Sequence, residues 1–294
     1  LRRQRQMCIR DRLIIELNAF VDMKILVFTG GLGNQIFGYA FYCWIKDKFP
    51  QQNFYGIYNH KKLSEHYGLE INKWFNVILP QSHWKATFLT GIMYIVKHLC
   101  PKNRFLDLNQ RLCINENALI YFAFKLSNKY IPQYNWITWK IDEESLSFQN
   151  KQALEIIRKS ESIFIHVRRG DYLSPKYIAR FEGTCPVEYY NKSIEDIKKR
   201  VDHPKFFYFS DDIEWVKKNL PFNDAYFIDW NTGENSPLDM FLMSQCKYAI
   251  IANSTFSYWG AMLGRKKELV YYPTKWINSE FGNPHIFPED WKTY

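Results

Sequence analysis

The stretch "FIHVRRGDY", residues 164–172, decides the fold. Ser162 to Val167 reads as a buried strand, and it runs straight into two adjacent arginines, a glycine and an aspartate. In a parallel sheet, ligands bind beyond the carboxyl ends of the strands. A buried strand ending in fixed positive charge is suited to an anion.

Outward from this stretch the pattern is regular. "PVEYYNKSIEDIKKR" reads as a helix with Val187, Tyr190, Ile194 and Ile197 on one face. "KFFYFS" is a strand, "DIEWVKKNL" a short helix and "AYFI" a strand. "SPLDMFLMSQC" is a helix with Ser236 as its candidate cap before Pro237. "KYAIIA" is a strand, "TFSYWGAMLG" a helix closed by Gly264, and "ELVYY" a last strand. Strands alternating with helices predict a parallel sheet with right-handed crossovers.

Near the amino end, "MKILVFTGGLGNQIFGYAFYCWIKDKF" predicts a buried strand over Lys24 to Phe28, a glycine turn, and a helix from Asn34 to Lys48. The turn "GGLGNQIF" is not a dinucleotide fingerprint, because Ile36 stands where a third glycine is needed. Asn34 and Gln35 are expected to project from it towards a ligand. Between Pro50 and Asn150 the pattern is hard to parse. Trp84, Phe88, Ile92, Ile95 and Leu99 fall at helical spacing, which predicts a core-facing helix. The other reading of that stripe is a basic amphipathic helix on a membrane surface.

The chain has 294 residues, 47% of them hydrophobic and 18% aromatic, enough for one large or two ordinary domains. Met23 reads as the natural start, and residues 1–22 read as a non-native leader without signal-peptide character. The net charge is +9, but Lys and Arg are scattered, which counts against a nucleic-acid tail. The six cysteines form no Cys-x-x-Cys pair, which argues against zinc or a disulfide scaffold and fits a reducing cytosol. No apolar run reaches about 18 residues, so no transmembrane helix is predicted.

Three unusual clusters share one sheet edge. Arg168, Arg169 and Asp171 follow "IFIHV"; Ser210, Asp211 and Asp212 follow "FFYF"; Asn253, Ser254, Thr255 and Ser257 follow "AIIA". The arginine fork suits a diphosphate, and a helix starting at Ser254–Thr255 offers N–H groups and hydroxyls to phosphate oxygens. An aspartate can accept the amino and imino protons of guanine or the hydroxyls of ribose. No Asp-x-Asp occurs, so arginine is expected to take the place of a divalent metal.

Together "GGLGNQIFGYAFY", "HVRRGDY", "FSDDIEW" and "NSTFSYWGAML" resemble the bacterial α-1,2-fucosyltransferases of glycosyltransferase family 11, from Met23 to the end. The His-x-Arg-Arg-x-Asp string is shared with α-1,6- and protein O-fucosyltransferases. The resemblance implies an α/β fold of GT-B type with two facing Rossmann-like parallel-sheet domains. These are residues 23–155 on the acceptor side and 156–294 binding GDP-fucose. It implies inverting, metal-independent transfer of L-fucose from GDP-β-L-fucose to the 2-hydroxyl of a galactose-terminated glycan. The location implied is cytoplasmic or peripheral at the inner membrane face.

Carried over, Arg168 contacts the β-phosphate as GDP leaves, and Arg169 and Asp171 shape the site as a pair. His166 with Asp211 or Asp212 lies near guanine, although a histidine in a strand can equally bond a backbone carbonyl. Ser254, Thr255 and Ser257 cap the phosphates, and Asn34 reaches the diphosphate from the other half. The catalytic base is Asp171 or Glu182, or expulsion of GDP leads with little base help. Relatives with α-1,6 specificity carry a glutamate where Lys176 stands. Two alternatives remain: a GDP-fucose transferase with another acceptor or linkage, and a non-catalytic nucleotide or nucleic-acid binder.

Overall fold

A computed structural model describes residues 23–58, 63, 66–99, 106–107, 114–133, 135–178, 185–220, 224–277 and 284–294, with only the backbone path for 93–99 and 106. The expected leader, residues 1–22, and the candidate base Glu182 lie outside the described residues. By spatial proximity the chain forms two units. The first comprises the described residues up to Gly31, Gln35–Asn72 and Val77–Trp136; the second comprises Leu32–Asn34, Lys73–Asn76 and Ile137–Tyr294.

The first unit opens with β1 (Met23–Val27) and α1 (Leu32–Lys48), followed by β2 (Asn53–Ile57), α2 (Trp84–Leu99), β3 (Leu106–Asp107) and β4 (Ile120–Phe122). The sheet order is β2-β1-β4-β3, all parallel. Every residue of β1 is buried, as befits a parallel strand covered on both faces. Even Lys24 is inside, because Nζ finds acceptors in the Glu116 carbonyl (2.7 Å), the Ala118 carbonyl (3.1 Å) and the Tyr121 hydroxyl (3.1 Å).

Two expectations fail in this unit. Gln35 does not point at a ligand: it is fully buried. Its Nε2 donates to the carbonyls of Gly30 (3.0 Å) and Gly68 (2.9 Å), and its Oε1 accepts from the N–H groups of Glu70 (2.9 Å) and Ile71 (3.1 Å). It clamps the glycine turn to a second loop. The stripe on α2 is inverted as well. Trp84 is 70%, Phe88 66% and Ile92 39% exposed, while the buried positions are Ala86 and Thr90. Periodicity identified the shared face, but Ala86 and Thr90, with Leu89 beside them, face the core. The side chains of Ile95 and Leu99 lie outside the described residues.

The second unit runs α3 (Phe148–Lys159), β5 (Glu161–Val167), α4 (Val187–Arg200), β6 (Pro204–Ser210), α5 (Ile213–Asn219), β7 (Ala225–Ile228), α6 (Pro237–Gln245), β8 (Tyr248–Ile250), α7 (Thr255–Met262), β9 (Leu269–Tyr272) and β10 (Lys292–Thr293). The two-residue β10 is too short to have left a sequence signal. The expected face of α4 is inside: Tyr190, Ile194 and Ile197 are buried and Val187 packs against them. Each such aliphatic side chain contributes about 1.5–3 kcal/mol through burial. Ser236 precedes α6 as expected, but its side chain makes no capping hydrogen bond.

The six parallel strands stand in the order β10-β9-β8-β5-β6-β7. Read from β7, that is the doubly wound order, third-second-first-fourth-fifth-sixth. It reverses between β5 and β8, and the crevice at their carboxyl ends is where such sheets bind ligands. Val167 pairs with Ser210, and Ile165 with Ile250. Extending that register sets Arg168 level with Asp211 on one side and with Asn253 on the other.

Candidate functional site

Three strand ends build the site. Beyond β5, Arg168 Nη2 donates to Asp171 Oδ1 at 2.7 Å, and its Nη1 lies 3.0 Å from Asp211 Oδ2. Arg169 Nε donates to Asp212 Oδ2 at 3.1 Å, and its guanidinium stacks 4.0 Å over the Trp215 ring. The expected pairing of Arg169 with Asp171 is therefore corrected. Each arginine takes a carboxylate from the β6 end, and Asp171 belongs to Arg168.

The two aspartates beyond β6 do separate work. Asp211 Oδ1 accepts the Arg169 backbone N–H at 2.9 Å, tying the loop after β5 to the loop after β6. Asp212 Oδ1 accepts the Trp215 N–H at 3.1 Å and so caps α5. Gly170 makes this packing feasible: a Cβ there would lie 2.5 Å from Asp211 Oδ2. Burial opposes the charge on Arg168, but Asp211 and then Asp171 outweigh it, and the pKa rises. Arg168 is a permanent cation whose fork is aimed by two carboxylates.

His166 sits one residue from the end of β5 and is buried. Burial, with the charge of Arg168 adding to it, lowers its pKa to about 3, so the imidazole is neutral near pH 7. Among the described residues Nδ1 is buried without a hydrogen-bond partner. The backbone-carbonyl bond considered for this histidine is not made at that nitrogen. The His166 carbonyl accepts from the Tyr190 hydroxyl at 3.2 Å, which anchors the strand end from below.

Beyond β8, Ser254 Oγ accepts the Phe256 N–H at 3.3 Å and caps α7. Thr255 Oγ1 donates to Asn34 Oδ1 at 2.9 Å. Asn34 belongs with the second unit. Gly33 allows the approach, since a Cβ there would lie 2.6 Å from the Thr255 carbonyl carbon. Ser257 differs from expectation. It is fully buried, and its hydroxyl faces the Ser254 and Ala252 carbonyls at 3.3 and 3.4 Å, so it braces the turn and is not open to a ligand.

Several contributing residues were not foreseen. The Tyr172 hydroxyl donates to the Asn253 carbonyl at 3.0 Å, linking the loops after β5 and β8. Its ring stands 5.7 Å from the Arg168 guanidinium. Trp215 carries Arg169. Both lie inside quoted motifs; for Tyr172 the available signal was an aromatic just after the two arginines, and for Trp215 there was none. Lys176 is exposed, with Nζ 4.7 Å from the Tyr177 ring.

At the carboxyl end of β7 a cavity of about 540 Å³ is lined by Trp74, Lys140, Asn150, Trp230, Asn231 and Glu234. Trp230 Nε1 donates to Asn150 Oδ1 (2.8 Å), the Asn150 and Asn231 amides exchange hydrogen bonds (2.9 and 3.0 Å), and Asn231 donates to Asp239 (2.8 Å). Burial raises the Asp239 pKa to about 8, against the Asn231 hydrogen bond and with some help from Asp229. Among the described residues no three His, Cys, Asp or Glu side chains gather as a metal site. None of the described helices is long and apolar enough to cross a membrane.

Comparison with known proteins gives a consistent result. The model of glycosyl transferase family 11 matches residues 121–294. An Escherichia coli alpha-1,2-colitosyltransferase is 32% identical over 290 residues, covering 92% of this chain and 98% of that protein. A mouse galactoside 2-alpha-L-fucosyltransferase, Sec1, is 30% identical over 129 residues, 42% of this chain and 34% of that protein. Among solved structures, the fucosyltransferase NodZ from Bradyrhizobium aligns with a TM-score of 0.52 at 11% identity, covering 82% of this chain and 93% of that one. At that identity the likeness bears on the fold, which is an α/β fold of GT-B type.

Proposed function

Because the chain belongs to glycosyltransferase family 11, we propose that it moves L-fucose from GDP-β-L-fucose to the 2-hydroxyl of a galactoside, with inversion and without a metal ion. The observation that carries the reading is the arginine pair at the switch point of the second sheet, held by Asp171, Asp211 and Asp212. Donor contacts are assigned to Arg168, Arg169, His166, Asp211, Asp212, Ser254, Thr255 and Asn34. Ser257 supports the turn.

In this reading the Arg168 fork faces the β-phosphate. As the bond from fucose C1 to the phosphate oxygen breaks, the electron pair leaves with GDP, and the guanidinium stabilises the growing charge. The galactose 2-oxygen attacks C1 from the opposite face. Its proton goes to a base on the acceptor side, for which Asp171 and Glu182 are the candidate carboxylates, or GDP expulsion leads with little base help. His166, neutral, offers its unpartnered nitrogen to the donor nucleotide. The neighbouring carboxylates orient the arginines and leave further N–H directions of each fork for phosphate oxygens.

A second reading, colitosyl transfer, is favoured by the similarity to the E. coli colitosyltransferase across 92% of this chain. One experiment separates the readings. GDP-fucose and GDP-colitose are each incubated with galactosides, lactose and terminal-GlcNAc compounds in EDTA, and the products are analysed by mass spectrometry with linkage determination. An α-1,2-fucosyl galactoside supports the first reading. A colitosyl product alone replaces the sugar, and no transfer in EDTA with transfer in magnesium refutes the metal-free mechanism. For the base, Asp171→Asn keeps an acceptor for Arg168 but cannot take a proton. Unchanged kcat in that variant would remove Asp171 as the base and leave Glu182 or base-independent GDP expulsion.

A further inference from the structure

The helix α2 packs Leu89 with Ala86 against the core, but it carries Trp84, Phe88 and Ile92 exposed on the other side. With about 100° per residue, Trp84, Phe88 and Ile92 fall within an arc of about 80°, and Ala86 and Thr90 point about 180° from its middle. Ala86 and Thr90 are the buried positions, and the Thr90 hydroxyl closes back on the Ala86 carbonyl at 2.8 Å. Trp84 and Phe88, at 70% and 66% exposure, are among the most exposed large apolar side chains described.

Charge identifies the occupant. Between Glu70 and Asp107 the chain carries Lys73, Lys85, Lys97, Lys102 and Arg104 and no acidic residue. Lys85 is on the helix itself, with Nζ 5.7 Å from the Trp84 ring. An exposed indole and phenyl beside cationic heads, on a helix about 24 Å long, is the pattern of a segment lying in a lipid interface. A second copy of the chain would bring the same uncompensated positive charge to the contact, whereas an anionic leaflet neutralises it.

We propose that α2 is a membrane-docking helix: Trp84, Phe88 and Ile92 enter the headgroup–acyl boundary of an anionic bilayer, and Lys85 beside them holds a lipid phosphate. The helix belongs to the first unit and the arginine cluster to the second, so the residues that bind lipid and those that bind the donor can be varied separately.

The test is co-sedimentation of the full chain with vesicles of phosphatidylcholine mixed with the anionic lipid phosphatidylglycerol and with vesicles of phosphatidylcholine alone. The wild type is expected to bind the anionic vesicles and to be released by high salt. Trp84→Ser with Phe88→Ser should lose at least about tenfold in partition, in line with the apolar area withdrawn. Lys85→Gln should lose about fivefold. Phe148→Ser, which removes a side chain 73% exposed on the other unit, should change nothing. Thermal melts confirm that the variants fold. Equal binding by wild type and double variant, no binding by wild type, or a concentration-dependent dimer that the double variant abolishes would each overturn the proposal.

Discussion

Replacing Arg168 by alanine should separate catalysis from folding. The side chain makes two ion pairs, to Asp171 and to Asp211, in which Arg168 is 32% exposed and its partners 37% and 26%. Pairs this open to water contribute about 0–1 kcal/mol each, so the melting temperature should move little. Catalysis should suffer far more. Loss of one charged donor made mainly in the transition state costs about 2.7–4 kcal/mol, or roughly 10²–10³ in kcat. The variant also leaves one arginine among three carboxylates, which repels the donor diphosphate and raises KM. Arg168→Lys keeps the charge but cannot span Asp171 and Asp211 with one fork, so its loss should be intermediate. GDP release in the steady state, with a thermal melt in parallel, reads all three. An alanine variant within about threefold of wild-type kcat, with its melt unchanged, would refute the reasoning.

Other predictions test the scaffold. Gly170→Ala must push the Asp211 carboxylate away, since the new Cβ would start 2.5 Å from Oδ2. The Arg168–Asp211 pair should part and kcat fall by about 10-fold or more, with no further loss when the change is added to Asp211→Ala. Gln35→Leu strands four backbone groups of two loops and should destabilise the first unit by about 3 kcal/mol or more in urea unfolding. Asp239 titrates at about 8 when folded, above its ordinary value of about 3.9 when unfolded. Between those pH values the folded state holds the extra proton, so stability falls as pH rises, by at most about 1.4 kcal/mol per pH unit. Asp239→Asn should flatten that loss between about pH 5 and 8, and equal slopes in the two melts would contradict it.

The site was legible in the sequence where backbone geometry does the placing. Parallel strands deliver the residues after Val167, Ser210 and Ile250 to one edge whatever their neighbours are, so the arginine, aspartate and serine–threonine clusters could be read together. Partner choice was not legible. Arg169 and Asp171 are close in sequence, but the loop from β6 supplies a carboxylate that only the register reveals. Inward and outward were not legible either. Period 3.6 groups Trp84 with Phe88 and Ile92, but it carries no label for the core, and Ala86 suits a close approach better than tryptophan. Gln35 and Asn34 stand side by side at one turn; one is spent on backbone groups and the other meets Thr255. The cavity beside β7 escaped notice because its polar network joins Asn150 to Asn231, 81 residues apart.

The most direct measurement of the central claim is a calorimetric titration of GDP in EDTA into the wild type and Arg168→Ala. If guanidinium groups hold the diphosphate, the wild type binds GDP without any divalent ion, prefers it to ADP and UDP, and loses at least about tenfold in affinity on the substitution. Binding that appears only when magnesium or manganese is restored, or that is indifferent to Arg168, would contradict the account.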